Sequence, residues 1–223
     1  LLYIQVKTIK YIAKINNIFK QENFILSAIN LAFLSYYMDE RIKITKWFIL
    51  WPDGIYSKLF FPTKKISGST LISKLKLPKN IKNIIVVGNL NKNNYQYLYK
   101  RFKIKINYKK IPKISEKRLE DISLRLNKNT ICIITLPTPK QEILANTLSK
   151  KNKFFKIICI GGGLDIASGT IKGCPKFLSG IGLEFVWRLR TDTIRRIARL
   201  LETFIKFNYN FLKGKMDLKF KKF

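Results

Sequence analysis

The sequence predicts an α/β protein: a Rossmann-like parallel sheet flanked by helices, with a basic amphipathic helical appendage at the C-terminal end. Two observations carry the sheet. Short apolar runs closed by Gly or Pro alternate with amphipathic segments of helical length, the rhythm of βαβ units. Runs such as Ile84–Val87 (IIVV) and Ile157–Ile160 (IICI) are apolar at every position, as a parallel strand covered on both faces requires. A third observation carries the appendage. From Gly182 the character changes, and residues 188–223 hold 11 Lys+Arg against 3 Asp+Glu. The expected division is a core over 1–187 and a basic helical appendage over 188–223.

The elements follow in order. Phe24–Asn30 (FILSAIN) reads as a buried strand running into a helix that ends near Tyr37. Ile44–Leu50 (ITKWFIL) reads as a strand stopped by the turn signal Trp51-Pro52-Asp53-Gly54. Ile84–Val87 is a strand closed by Gly88-Asn89, followed by a helix over Asn94–Phe102 and a strand over Lys103–Tyr108. Ser115–Leu126 has the pattern of an amphipathic helix with Ser115 at its N-cap. Thr130–Leu136 (TICIITL) is a strand, and Pro139–Lys150 the helix after it, with Pro suited to the first turn. Ile157–Ile160 then ends in Gly161-Gly162-Gly163. In the last segment Ile194, Ile197, Ala198, Leu201, Phe204, Ile205 and Phe211 form a helical stripe, with Arg195, Arg196, Arg199 and Lys206 off it. The pattern fits a helix docked on the core with a solvated outer face, and equally a helix in contact with a membrane surface.

Composition narrows the chemistry. The chain has 223 residues, 44 Lys+Arg against 13 Asp+Glu, a formal charge of +31 and no histidine. Triads built on His and zinc sites with His ligands are therefore excluded. Cys132, Cys159 and Cys174 form no C-x-x-C pair, and the first two sit in apolar runs, as buried thiols of a reducing compartment do. No apolar run approaches the roughly 20 residues of a spanning helix. The chain opens on Leu1 and shows no signal-peptide layout, although a start further upstream would hide one. The charge divides into two parts. Lysine is spread through the whole chain with abundant Asn, Ile and Phe, as an A+T-rich genome writes it. Of nine arginines, five (Arg188, Arg190, Arg195, Arg196 and Arg199) lie within twelve residues. That cluster points to a phosphate-bearing partner or an anionic surface.

Ligands of open α/β sheets bind beyond the carboxyl ends of the strands. Three stretches meet that condition. Asp53 in Trp51-Pro52-Asp53-Gly54 suits a general base, and equally a turn residue capping its own loop. In Pro137-Thr138-Pro139-Lys140-Gln141-Glu142, Lys140 and Gln141 fall in a first helical turn. A Lys there is unfavourable for the helix dipole, which an anionic ligand at that N-terminus would explain, and it equally fits an ordinary loop with a solvated Lys. In Gly161-Gly162-Gly163-Leu164-Asp165 the glycines permit close backbone approach to a ligand, while Asp165 can also cap a short helix. Neither the dinucleotide fingerprint nor the Walker loop is present.

The order and wording of these stretches carry a resemblance. P-K-Q-E at 139–142, G-G-G-x-D-x-x-S-G at 161–169, G-L-E-F-V-W-R-L at 182–189 and the spaced arginines beyond resemble the WecG/TagA/CpsF glycosyltransferase family. Upstream, Asn30, Pro52-Asp53-Gly54 and Lys65-Ile66-Ser67-Gly68-Ser69 are similar to its early Asn, its D-G and its R-x-x-G-x-D segments. The resemblance runs from about residue 20 to 212. It departs at Lys65, where the family has Arg, at Thr70, where it has an acid, and at Gly173-Cys174-Pro175, where it has R-A-P. The resemblance implies an inverting, metal-independent transfer of an N-acetylmannosamine-like sugar from a UDP-sugar to a polyprenyl-diphosphate-linked saccharide, in cell-surface polysaccharide biosynthesis. No cofactor beyond the UDP-sugar donor is implied. Asp53 would be the catalytic base. Asn30, Lys65, Lys140, Gln141, Gly161, Gly162, Gly163, Asp165 and Glu184 would line the substrate site, with Gln141 on the donor sugar. Arg188, Arg195, Arg196 and Arg199 would meet the lipid diphosphate and an anionic membrane. The implied place is the cytoplasmic side, peripheral on the inner face of the membrane, and self-association into homo-oligomers stays open.

Two other readings compete. A nucleic-acid-binding module would use the positive charge, with Tyr95, Tyr97, Tyr99, Lys100 and Arg101 as the best local patch, but no nucleic-acid motif supports it. An inactive homologue would keep the fold as a binding protein and turn over no donor.

Overall fold

A computed structural model describes residues 7–12, 14–54, 65–111, 115–175, 187, 193–215 and 218–222. Its strands are β1 (Lys7–Tyr11), β2 (Phe24–Ile29), β3 (Phe48–Pro52), β4 (Asn83–Gly88), β5 (Lys105–Lys110), β6 (Thr130–Ile134), β7 (Lys156–Cys159) and β8 (Leu218–Lys222). Its helices are α1 (Leu31–Met38), α2 (Gly68–Lys74), α3 (Lys92–Phe102), α4 (Glu116–Leu119), α5 (Lys140–Lys151), α6 (Gly163–Ala167) and α7 (Thr193–Leu212). A 3-10 turn spans Ile15–Lys20.

All eight strands form one sheet in the order β5-β4-β6-β7-β2-β3-β1-β8, and every pairing is parallel. The predicted Rossmann-like sheet is present. The inner strands β2, β3, β6 and β7 are buried at every position, which is why their sequences are continuous apolar runs. Side chains alternate between the two faces. Ile25 and Ile29 of β2 join a core under α1, α5 and α7, with Phe33, Leu34, Leu144, Leu148 and Phe207. Phe24, Leu26 and Ala28 join the opposite core under the 3-10 turn, α2, α3 and α6, with Ile18, Leu71, Leu98 and Leu164.

Local chemistry sets the helix starts. The Asn30 side chain accepts from the Phe33 N–H at 3.0 Å, Ser67 from Thr70 at 3.2 Å and Asn91 from Asn94 at 2.8 Å, each an N-cap. The strand expected over Ile44–Leu50 starts only at Phe48, that expected over Lys103–Tyr108 runs Lys105–Lys110, and two further differences have a local cause. Trp51 and Pro52 continue β3 rather than ending it, paired with Ala28 and Ile29 of β2. The helix expected over 115–126 stops at Leu119. Beyond it the Asn152 side chain accepts from the Leu126 N–H at 2.7 Å and donates to the Leu124 carbonyl at 3.0 Å. Lys151 donates to the Glu120 carbonyl at 2.6 Å. The end of α5 thus claims the backbone groups a longer helix would have used.

The C-terminal helix is present and docks on α1, but by its other face. Thr203, Phe207 and Asn210 are buried, with Asn210 Nδ2 donating to Asp39 Oδ1 at 3.2 Å and Lys206 bridging Asp39 and Glu202 at 3.3 and 2.9 Å. The apolar stripe faces outward: Leu201, Phe204 and Ile205 are 54%, 45% and 65% exposed. After α7 the chain returns to the sheet, where β8 pairs with β1 from Lys7↔Leu218 to Tyr11↔Lys222. The segment expected as an appendage therefore supplies an edge strand of the core sheet.

Candidate active site at the carboxyl ends of the strands

The strand order places a switch point on one flank of the candidate site. From β4 the chain moves outward to β5, whereas from β6 it moves inward to β7, so neighbouring strands β4 and β6 send their connections in opposite directions. Ligands of such sheets bind where connections diverge. The carboxyl ends of β2, β3, β6 and β7 carry Asn30, Asp53, Lys140–Glu142 and Gly161–Asp165, so most of the expected residues converge on one end of the sheet.

The contacts form a continuous chain. Asp53 follows β3 directly, its N–H donating to the Ile29 carbonyl at 3.1 Å, which sets it beside Asn30. Its Oδ1 accepts from the N–H of the next residue, Gly54, at 2.8 Å, which draws the carboxylate onto its own loop. A Cβ at Gly54 would lie 3.7 Å from that of Asn30. The Ile66 N–H donates to the Pro52 carbonyl at 2.8 Å and brings half-buried Lys65 to the same strand end. Two residues on, Gly68 opens α2 against Gly163 at the start of α6. A Cβ on Gly163 would lie 2.8 Å from the Gly68 carbonyl carbon, so the two backbones cross with no side chain between them.

The glycine loop is tied to α5 from the other side. The Gly161 N–H donates to Gln141 Oε1 at 3.0 Å, while Gln141 Nε2 donates to Glu142 Oε1 at 2.8 Å and Thr138 Oγ1 at 3.0 Å. Gln141 is 4% exposed, so the residue expected on the donor sugar is turned inward with both ends of its amide held by the protein. Half-buried Lys140 opens α5, and Gly162 is exposed at the tip of the loop. Asp165 faces α3: its Oδ1 accepts from Asn94 Nδ2 at 2.8 Å, and Ser168 donates to Asn94 Oδ1 at 2.5 Å. Asn94 was invisible to motif reasoning, although its place one turn after the Asn91 cap puts it at the same end of the sheet.

Among the described side chains of α7, Arg199 reaches this region, with Nη2 donating to the Thr138 carbonyl at 2.5 Å. Arg195 and Arg196 lie on the same helix near its start. Glu184 and Arg188 lie outside the described residues. Glu142 is fully buried, and burial pushes its carboxyl pKa up, opposed by hydrogen bonds from Ser27, Gln141 and Thr138. The Cys132 thiol is pushed up to about 12 by burial, and that of Cys159 well above its ordinary value by burial and by Glu142. Neither is a nucleophile near neutral pH.

The aromatic and basic patch on α3 is divided. Tyr95 and Tyr99 stack in the open with ring centroids 6.4 Å apart, and Tyr97 packs against the core. Arg101 turns back to donate to the Ile72 and Leu75 carbonyls at 3.0 Å each, at the end of α2. Tyr95, Tyr99 and Lys100 stay exposed on α3.

A comparison with protein families matches residues 62–221 to the glycosyl transferase WecG/TagA/CpsF family. The matched span runs from just before Lys65 through the P-K-Q-E stretch, the glycine loop, α7 and into β8, with Asn30 and Asp53 upstream of it. The chain belongs to the WecG/TagA/CpsF family of glycosyltransferases, enzymes of cell-surface polysaccharide synthesis.

Proposed function

We propose that the protein transfers an N-acetylmannosamine-like sugar from a UDP-sugar to a polyprenyl-diphosphate-linked saccharide, with inversion at the anomeric carbon and without a metal ion. The observation that supports this reading is the convergence of Asp53, Asn30 and Lys65 with the Gly161–Gly163 loop at one end of the sheet. Asp53 takes the proton of the acceptor hydroxyl as its oxygen bonds to the anomeric carbon. The anomeric carbon–oxygen bond to UDP breaks at the same time, and UDP departs with the electron pair from the opposite face. Lys65, Lys140 and Arg199 offer fixed positive charge to the departing diphosphate, the role a metal ion fills elsewhere. Asn30 orients the substrate, while Gln141 contributes through the loop it holds. Asp165 with Asn94 offers polar contacts on the α3 side.

The same reading places the protein peripherally on the inner face of the membrane. No helix among the described residues is long and apolar enough to cross one. The outward stripe of α7, on a chain of +31, suits a helix lying in the interface with its apolar face among lipid chains and basic residues near anionic headgroups.

A UDP-release assay with a polyprenyl-diphosphate-linked N-acetylglucosamine acceptor and a panel of UDP-sugars tests the reaction. Turnover is expected to fall about 10²–10⁴-fold in Asp53→Asn with donor KM little changed. Full turnover in that variant removes Asp53 as the base. No release with any donor in the unaltered chain favours the inactive-homologue reading. Turnover that collapses when divalent ions are chelated removes the metal-independent scheme.

A further inference from the structure

Glu142 is the one carboxyl group among the described residues that is wholly enclosed by protein. It sits in the first turn of α5 with its side chain under the strand ends. Oε1 accepts from Ser27 Oγ of β2 at 2.8 Å, from Gln141 Nε2 at 2.8 Å and from Thr138 Oγ1 at 3.3 Å. Oε2 has no hydrogen-bond partner. An arrangement this costly, where an apolar side chain would fill the space without penalty, calls for a role.

The role follows from the symmetry of an amide. Gln141 can occupy its pocket in two orientations that exchange oxygen for nitrogen. At one end stands the Gly161 N–H, which only donates. At the other stands Glu142 Oε1, which accepts from Ser27 as well. Only the orientation with nitrogen toward Glu142 and oxygen toward Gly161 satisfies both. With an apolar residue at 142, only the Thr138 hydroxyl remains beside the amide nitrogen. That group can donate as well as accept and has lost its own acceptor in Glu142, so the amide is held chiefly by its single bond from the Gly161 N–H. We infer that Glu142 is a positioning residue: it locks the Gln141 amide, and through it fixes the Gly161 peptide and the glycine loop at the carboxyl end of β7. The inference rests on the reading of this end of the sheet as the transfer site. The far end of the loop needs no such lock, because Gly163 is held by backbone packing on Gly68. The near end follows the Ile160 N–H, bonded to the Ile134 carbonyl at 2.9 Å, and Gly161 itself is held by the Gln141 bond and a longer 3.3 Å bond to that same carbonyl.

The test compares Glu142→Gln, Glu142→Met and Gln141→Leu in the full chain, by amide hydrogen exchange at Gly161–Gly163 and by steady-state kinetics. Glu142→Gln keeps an acceptor for Gln141 and is expected to retain loop protection and turnover within about 3-fold. Glu142→Met and Gln141→Leu are expected to exchange Gly161 at least about 10-fold faster, with β7 protection unchanged and kcat falling about 10-fold or more while donor KM moves little. Unchanged Gly161 exchange in a folded Glu142→Met overturns the inference, as does a Glu142→Gln variant impaired as badly as Glu142→Met. Should Glu142→Met fail to fold, unchanged exchange in Gln141→Leu overturns it equally. Absence of turnover with every donor in the unaltered chain removes the transferase reading, and the exchange rates alone then decide whether Glu142 holds the loop.

Discussion

The Arg199 guanidinium donates to the Thr138 carbonyl oxygen at 2.5 Å, which ties α7 to the loop that leads into α5. Sixty-one residues separate the two in sequence. Thr138 also touches Gln141 and Glu142 through its hydroxyl, so the C-terminal helix is one bond away from the groups that hold the glycine loop.

Breaking that tie should loosen the helix and slow the reaction. Hydrogen bonds from charged donors contribute about 1.5–3 kcal/mol. Arg199→Ala is therefore expected to expose α7 to protease and to lower kcat/KM about 10-fold or more. Arg199→Lys keeps the charge but not the planar fork, and should recover the activity only in part. Wild-type kinetics in Arg199→Ala would show that the contact has no bearing on the site.

The two faces of α7 should answer differently to substitution. Leu201, Phe204 and Ile205 are at least 45% exposed, so Gln at all three should leave the melting temperature within a few degrees while abolishing binding to anionic vesicles. Phe207 is buried against α1, and Phe207→Ala should cost about 3–5 kcal/mol. Vesicle sedimentation and thermal melts separate the two. Undiminished vesicle binding by the triple variant would remove the stripe as the membrane face.

Backbone packing predicts a sharp intolerance at Gly163. A methyl group there would sit 2.8 Å from the Gly68 carbonyl carbon and 3.0 Å from its Cα, both backbone atoms that cannot rotate away. Gly163→Ala should destabilise the fold by about 1–3 kcal/mol, read as a lowered denaturant midpoint. Gly169→Ala provides a contrast, since open space surrounds it and its cost arises from its φ of +77° alone.

Glu142 gives a pH dependence with a definite sign. Burial raises its carboxyl pKa above the ordinary 4.5, so the folded state keeps the proton that the unfolded chain releases. Its contribution is fully present below about pH 4.5 and is lost as pH climbs through the raised value. The groups facing it are Ser27 of β2, Thr138 of the loop, Gln141 of its own helix and the Cys159 thiol of β7, itself held neutral. Glu142→Gln should flatten the fall in stability on the alkaline side of pH 4.5, measured as the difference between the two denaturation curves against pH.

The strands that were legible in the sequence are those buried on both faces. FILSAI, TICII and KIIC read as strands because burial at every position leaves an apolar run with no period to confuse. The strands missed are β1 and β8, KTIKY and LKFKK, whose lysines make them look like solvated chain. That composition is natural for β8, an edge strand where lysine discourages further pairing, whereas β1 lies one strand in, between β3 and β8. The stripe of α7 shows a different limit. Periodicity reveals that a helix has an apolar face, but the partner of that face is a tertiary fact. Here polar Thr203 and Asn210, with Phe207, make the contact to α1. In the site, Asp53 and the glycine loop could be picked out because strand ends followed by Gly mark ligand positions. The inward turn of Gln141 could not, since it depends on Gly161, 20 positions away, and on Glu142, itself bonded to Ser27 115 positions away, groups that meet only when β2 and β7 pair.

The pairing of β8 with β1 has a consequence for how the protein is made. Of the described strands β1 leaves the ribosome first and β8 last, yet they are neighbours in the finished sheet. Throughout translation β1 therefore offers an uncovered hydrogen-bonding edge, able to capture another nascent chain until its own late strand arrives. A chain halted after α7 would carry the candidate site residues and leave that edge of β1 unpaired, so β8 guards against aggregation as much as it completes the sheet.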